Sequence, residues 1–270
     1  MAVYITNGVA GRAGARISPP DWAPPVAGVI AALDTPAVAQ ALTDLLRQVV
    51  PFTYSVTFAY RGPDRPVSLH DDFPPGKRTV FVTDYVAGPY LLDPLYLAAV
   101  KPVPPGLYRL RDMAPDRFYQ GEYYRNYYAR TGLAEEIGYI IDLPERTALV
   151  LSLMRTEKRF SRKEFLALEA LFPVVAAVAR RQWAGLCRQF GKDPGTAGPH
   201  GKGKQMAYDL GRFGEGTLTS REREVAEFTL KGHSAESTSQ ILGISPGTVR
   251  IHRRNIYAKL RINSQGELFS

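Results

Sequence analysis

The sequence predicts an α+β domain followed by a small all-α domain, with a flexible segment between them. Three observations point there. Helical and alternating, hairpin-like stretches interleave over residues 33–187; a glycine-rich stretch of poor periodicity covers 188–216; and short, well-capped helical stretches fill 217–270. With 270 residues, 45% hydrophobic and 22% charged, the chain is ordinary globular material for two modest domains.

Residues 1–32 read as a flexible arm. Its opening is rich in glycine and proline and lacks the continuous apolar core of a secretory signal. Thr35–Val50 then carries Val38, Leu42, Leu45, Leu46 and Val49 at helical spacing. Tyr54–Tyr60 alternates as a strand, with Val67–His70 as its partner beyond the Gly62-Pro63 turn. Asp116–Ala129 reads as a tyrosine-rich helix, and Glu136–Leu143 and Thr147–Arg155 as a second hairpin. Ser161 and Glu164 form a capping box that opens a long helix running to Cys187. Along it Phe165, Leu168, Phe172, Val175, Ala179, Gln182 and Leu186 make a heptad-like seam, which suits a sheet-covering face and a dimer contact equally; Pro173 should kink it. This order of strands and flanking helices resembles a PAS/GAF-like sensor domain.

Composition removes several function classes. No apolar run approaches the roughly 18 residues of a membrane-spanning helix. The single cysteine, Cys187, forms no internal disulfide, and the expected location is cytoplasmic. Four scattered histidines make no zinc constellation, and no phosphate-binding loop follows a strand. Neither a catalytic residue, a metal nor a cofactor is therefore expected. The net charge of +8 is uneven: residues 217–270 hold 8 Lys/Arg against 5 Asp/Glu, as large an excess as residues 1–187 with 21 against 18. A basic excess in a small terminal domain suits a polyanion.

That domain has the most explicit local code. Thr219 and Glu222 form a capping box, Ser234 caps a second short helix, and Gly243 permits a sharp turn. Ser245 caps a third helix with Pro246 in its first position. This is the pattern of a helix-turn-helix. On a helical wheel of Pro246–Leu260, Val249, Ile256 and Leu260 form an inward stripe, whereas Gly247, Arg250, Ile251, Arg254 and Ala258 face the other way. Arginine reaches guanine with two hydrogen bonds and isoleucine meets thymine methyls, so Arg250, Ile251 and Arg254 are candidate base contacts. Thr248, Arg253, Lys259 and Arg261 are candidate phosphate contacts.

The stretches Leu218-Thr219-x-Arg221-Glu222, Leu242-Gly243-Ile244-Ser245 and Thr248-Val249-x-x-His252-x-x-Asn255-Ile256-x-x-Lys259-Leu260 resemble the LuxR-type (GerE-type) DNA-binding domain of bacterial regulators. The resemblance implies an all-α four-helix domain, a third helix in the major groove, and promoter DNA and RNA polymerase as partners. It also implies a fourth helix at Ser264–Phe269. One departure is Glu236-Ser237-Thr238-Ser239, where the family usually has Lys-Glu-Ile-Ala.

The first domain is harder to assign. Asp71-Asp72 and Asp116 have the separation of a phosphorylated receiver's acidic residues, but no apolar strand leads to Asp116 and the order of strands and helices is wrong for one. Asp93-Pro94, after Tyr85 and Tyr90, resembles the Asp-Pro of lactone-binding relatives, but their upstream Trp and Tyr would fall near Val80 and Asp84. Tyr119, Tyr123 and Tyr127 repeat every four residues and are either core or the wall of an effector pocket against Ile137–Ile141. In the pocket reading Arg125 or Arg130 meets an acidic ligand. The expectation is a homodimeric, effector-controlled transcription regulator whose effector is unidentified. The alternatives are a constitutive regulator whose first domain only dimerises, and an acyl-homoserine-lactone receptor.

Overall fold

The computed structural model describes residues 23–190, apart from 63, 102 and 122, and residues 216–262. The last part of the expected arm is not loose: Ala23–Ala31 is a helix, α1, whose Val29 is fully buried. α2 (Val38–Val49) follows, then a five-stranded antiparallel sheet of β1 (Tyr54–Arg61), β2 (Val67–Asp71), β3 (Gly106–Arg109), β4 (Glu135–Leu143) and β5 (Thr147–Arg155), in the order β2-β1-β5-β4-β3. Of these, only the short edge strand β3 was not anticipated. The β4–β5 hairpin pairs Leu143 with Thr147 and turns through Glu145 and Arg146, both at φ 56°.

Side chains alternate across a strand, so the sheet feeds two cores. Ala59, Ile137, Tyr139, Ile141, Leu149, Leu151 and Leu153 face α1, α2, α4 (Arg162–Glu169) and α5 (Phe172–Gln182). Val56, Phe58, Tyr60, Ile140, Val150 and Met154 face the opposite layer, built from α3 (Pro94–Val100) and irregular segments rich in tyrosine. α3 lies close on the sheet because Gly138 is beneath it; a Cβ there would stand 3.0 Å from a Leu95 methyl.

Two expected helices differ. Ser161–Cys187 is broken at Ala170-Leu171, since Pro173 has no N–H to continue the ladder. Its seam is used within the chain. Leu168, Val175, Ala179 and Leu186 are buried against the sheet, and Gln182 holds the Asp34 N–H and the Thr35 carbonyl. The tyrosine-rich stretch is a 3-10 turn at Phe118–Gln120, then π-type turns over Tyr123–Tyr128 and a closing turn, Ala129–Thr131. The wider winding brings Tyr123, Tyr127 and Tyr128 inward together, which regular i, i+4 spacing does not.

Phe190 is buried in the first core, so residues 188–190 of the expected tether pack with the first domain. Its remainder, through residue 215, and the expected helix Ser264–Phe269 lie outside the described residues. The small domain packs α6 (Ser220–Leu230), α7 (Ala235–Leu242) and α8 (Pro246–Leu260) around Leu218, Val225, Ala226, Leu230, Val249 and Ile256. Thr219, Ser234 and Ser245 cap these helices as their positions predict, and Gly243 turns at φ 63°.

Candidate functional site

Two places carry candidate function. The first is the outer face of α8. Val249 and Ile256 are buried, which turns Arg250, Ile251 and Arg254 to the exposed side with Gly247 and Ala258. Ile251 is 51% exposed on the same outer side of the helix. Arg250 is ion-paired with Glu236 of α7, the residue that stands where the family usually has lysine. Thr248 lies half-buried at the helix start, its hydroxyl 2.8 Å from that of Ser245, and Arg261 is exposed past the end. The other two candidate phosphate contacts have partners inside the domain. Arg253 is half-buried and donates to the His233 carbonyl at 2.7 Å; desolvation lowers its pKa. Lys259 Nζ donates to Glu222 Oε2 at 2.7 Å, which ties α8 to α6. Each keeps further N–H donors beside that bond.

The second place is a narrow cavity between the sheet and the tyrosine-rich layer. Val56, Phe58 and Tyr60 of β1, Glu136 of β4, and Ser152 and Met154 of β5 form one side. Phe81, Tyr85, Asp93, Tyr123, Tyr127, Tyr128, Thr131 and Leu133 form the other. The free space is about 20 Å³, enough for about one water. Asp93 caps α3, accepting the Leu95 N–H through Oδ1 at 2.8 Å, while Oδ2 accepts the Tyr85 hydroxyl at 2.6 Å. Because that proton is committed to Asp93, Tyr60 is the donor in its 2.7 Å bond to Tyr85.

The carboxylates are unusual. Burial pushes Asp93 up to about 6, although Tyr85 and the backbone at Leu95 favour its charged form. Burial, and then the charge of Asp93, push Glu136 up to about 8, against a hydrogen bond from Ser152. No lysine, arginine or histidine is among the lining residues. A wider cleft of about 150 Å³ adjoins the cavity and shares Tyr128, Leu133 and Glu136 with it.

Of the six residues proposed for a pocket, Tyr85, Asp93, Tyr123 and Tyr127 line this cavity together. Tyr90 is buried beside it, edge-on to Tyr96, and Tyr119 is 56% exposed on the outer cleft. Arg125 and Arg130 do not line it, and Arg130 instead lies 3.6 Å from Asp84. Sequence reasoning missed Tyr60, Tyr128, Ser152 and above all Glu136. The available signal was the acidic pair Glu135-Glu136 opening an otherwise apolar strand. The strand's alternation also sends Ile137 and Ile141, expected on the pocket wall, to the opposite face.

Known proteins match both parts. The model of the bacterial regulatory proteins of the luxR family matches residues 216–270. A putative HTH-type transcriptional regulator in the exeN 3' region of Aeromonas salmonicida is 36% identical over 182 residues, which cover 66% of this chain and 91% of that protein. The transcriptional regulatory protein UhpA of Escherichia coli K12 is 38% identical over 63 residues, 23% of this chain and 32% of UhpA. The crystal structure of the VqsR LBD domain from Pseudomonas aeruginosa covers 60% of this chain and 95% of its own, at TM-score 0.52 and 26% identity. No described helix is long and apolar enough to cross a membrane. One relative aligns along nearly its whole length, and the family model falls on the capped helices of the small domain. The chain therefore belongs to the luxR family of bacterial transcription regulators, with a helix-turn-helix DNA-binding domain behind an α+β domain that resembles a ligand-binding one.

Proposed function

We propose that this regulator works in the cytoplasm as a homodimer, binds promoter DNA through α8, and changes its binding when a small molecule enters the tyrosine-lined cavity. The observation that carries the DNA reading is the exposed trio Arg250, Ile251 and Arg254 on a helix anchored from behind by Val249 and Ile256. In this reading the trio meets base edges, and Thr248 and Arg261 meet phosphates. Paired half-sites would match a two-fold dimer, and contact with RNA polymerase is what the family suggests.

The effector reading is supported by the narrow cavity with its hydrogen-bonded polar groups and by the likeness to the VqsR domain. Its free space of about 20 Å³ holds no sizeable ligand, so an effector acts by selecting a widened conformation. The test is to select bound fragments from genomic DNA with the full chain, then measure affinity for them by fluorescence anisotropy with and without metabolite extract. An extract-dependent shift supports effector control. Sequence-selective binding that no extract alters leaves a constitutive regulator whose first domain only dimerises.

A further inference from the structure

We propose that the cavity between the sheet and the tyrosine-rich turns is built for a ligand carrying an amine, whose ammonium group sits between Asp93 and Glu136 inside a ring of tyrosines. This rests on the effector reading above and names the chemistry of the molecule. Both carboxyl groups are more than nine-tenths buried and line one narrow space whose lining contains no basic side chain. Two buried acids without a counter-charge are costly, and one of them must hold a proton unless a cation arrives.

The tyrosines supply an independent observation. Tyr123 and Tyr127 are each 6% exposed and line the same space as Asp93 and Glu136. The charges of both carboxylates reach both rings and, after burial, hold their phenols in the neutral, donor-bearing form. Phe58, Tyr85, Tyr123 and Tyr127 add aromatic faces, which favour a desolvated cation. A neutral amide or lactone satisfies Asp93 but leaves Glu136 without a cationic partner. An anionic ligand meets two carboxylates and no cation. The adjoining cleft, which shares Glu136 and Tyr128 with the cavity and has Arg111 and Arg159 in its own lining, gives room for the rest of the molecule.

The experiment is calorimetric titration of the full chain at neutral pH with 2-phenylethylamine and with its neutral counterpart 2-phenylethanol. The expected result is saturable binding of the amine at least about ten-fold tighter than the alcohol, with Glu136→Gln abolishing that preference. Glutamine mimics the protonated acid, so the variant should fold, and its thermal transition checks this. If the alcohol or N-hexanoyl-homoserine lactone binds as well as the amine, or Glu136→Gln keeps the preference, the inference falls and the effector cavity stands. If none of the three binds, the inference falls, and the extract titration decides the effector reading separately.

Discussion

The carboxylate of Asp116, in the first domain, accepts the backbone N–H of Ser234 at 2.9 Å, where Ser234 caps α7 of the DNA-binding domain. Next to it the Arg117 N–H donates to the Gly232 carbonyl at 3.0 Å. Asp116 therefore adds a negative group at the positive end of a helix. Partial burial, the largest single effect, raises its pKa, but the Ser234 bonds, its own backbone N–H and the charge of His233 together hold it below the usual carboxylate value. Two residues along, Phe118 packs on Tyr123, Tyr124 and Tyr128. The wall of the cavity and the start of α7 are thus joined through one short segment. Asp116→Ala removes about 1 kcal/mol of docking. The isolated affinity of α8 for DNA should persist, while any effector-dependent change in operator affinity shrinks. Anisotropy titrations with and without effector check this.

Gly232 is needed at the same junction. Its φ of 92° is poorly tolerated by side chains, and a Cβ there would lie 3.5 Å from the Arg117 carbonyl. Gly232→Ala should lower the thermal stability of the small domain by on the order of 1–2 kcal/mol through backbone strain. Differential scanning calorimetry would show the later transition moving while the first domain's stays in place.

The ion pair between Glu236 and Arg250 restrains a candidate base reader. Both side chains are more than half exposed, so the pair contributes little stability. Glu236→Lys frees Arg250 and adds a cation near the DNA backbone. Affinity should rise for specific and random duplexes alike, and the slope of log K against log salt should steepen by about one. Arg250→Ala and Arg254→Ala should instead each cost about 1–3 kcal/mol on the best site and relax sequence preference. Salt-series anisotropy on matched and random duplexes separates these outcomes.

Local codes made the DNA-binding domain legible. Thr219, Ser234, Ser245, Pro246 and Gly243 each act on their own few residues, and the inward placement of Val249 and Ile256 follows from helical period alone. The partners of Arg253 and Lys259 were not legible, because His233 and Glu222 approach them through tertiary packing. The cavity shows the same division. Tyr123, Tyr127, Tyr85 and Asp93 drew attention as unusual residues, whereas Glu136 and Ser152 join them only because β4 and β5 pair in one register. The winding of Tyr123–Tyr128 was missed for a similar reason. Three rings facing one layer outweigh regular helix geometry, and the sequence spacing does not record that layer.

Lys259 illustrates how packing changes an expected phenotype. The sequence suggests that Lys259→Ala weakens binding to all DNA through a lost phosphate contact. In the structure it also removes the cationic partner of the Glu222 carboxylate, which is 3% exposed and keeps its bond from the Thr219 N–H. The hydrogen bond from Lys259, followed by that from Thr219, holds Glu222 below its ordinary pKa. Lys259→Ala should therefore destabilise the domain by about 1–2 kcal/mol, discounted because Lys259 is 40% exposed. That loss should shrink as pH falls below the carboxylate range, where Glu222 takes up a proton in either protein. Urea unfolding at neutral and acid pH checks it.

Glu136 has the opposite pH sign. Its folded pKa is raised to about 8 from an ordinary 4.5, so the folded chain retains a proton that the unfolded chain releases. Folding stability from this group is intact below about 4.5, falls as pH rises toward 8, and then levels off. Asp93, raised from 3.8 to about 6, adds a smaller decline at lower pH. Glu136→Gln cannot release the proton and should remove the higher-pH part of the decline. It should match the parent chain near pH 5 and exceed it by a few kcal/mol near pH 8. The sheet side of the cavity supports that order of magnitude, since Glu136 is 7% exposed and water gives its charge little relief. Urea midpoints across this range provide the measurement; parallel curves for the two proteins would mean that Glu136 is ionised and solvated in the folded state.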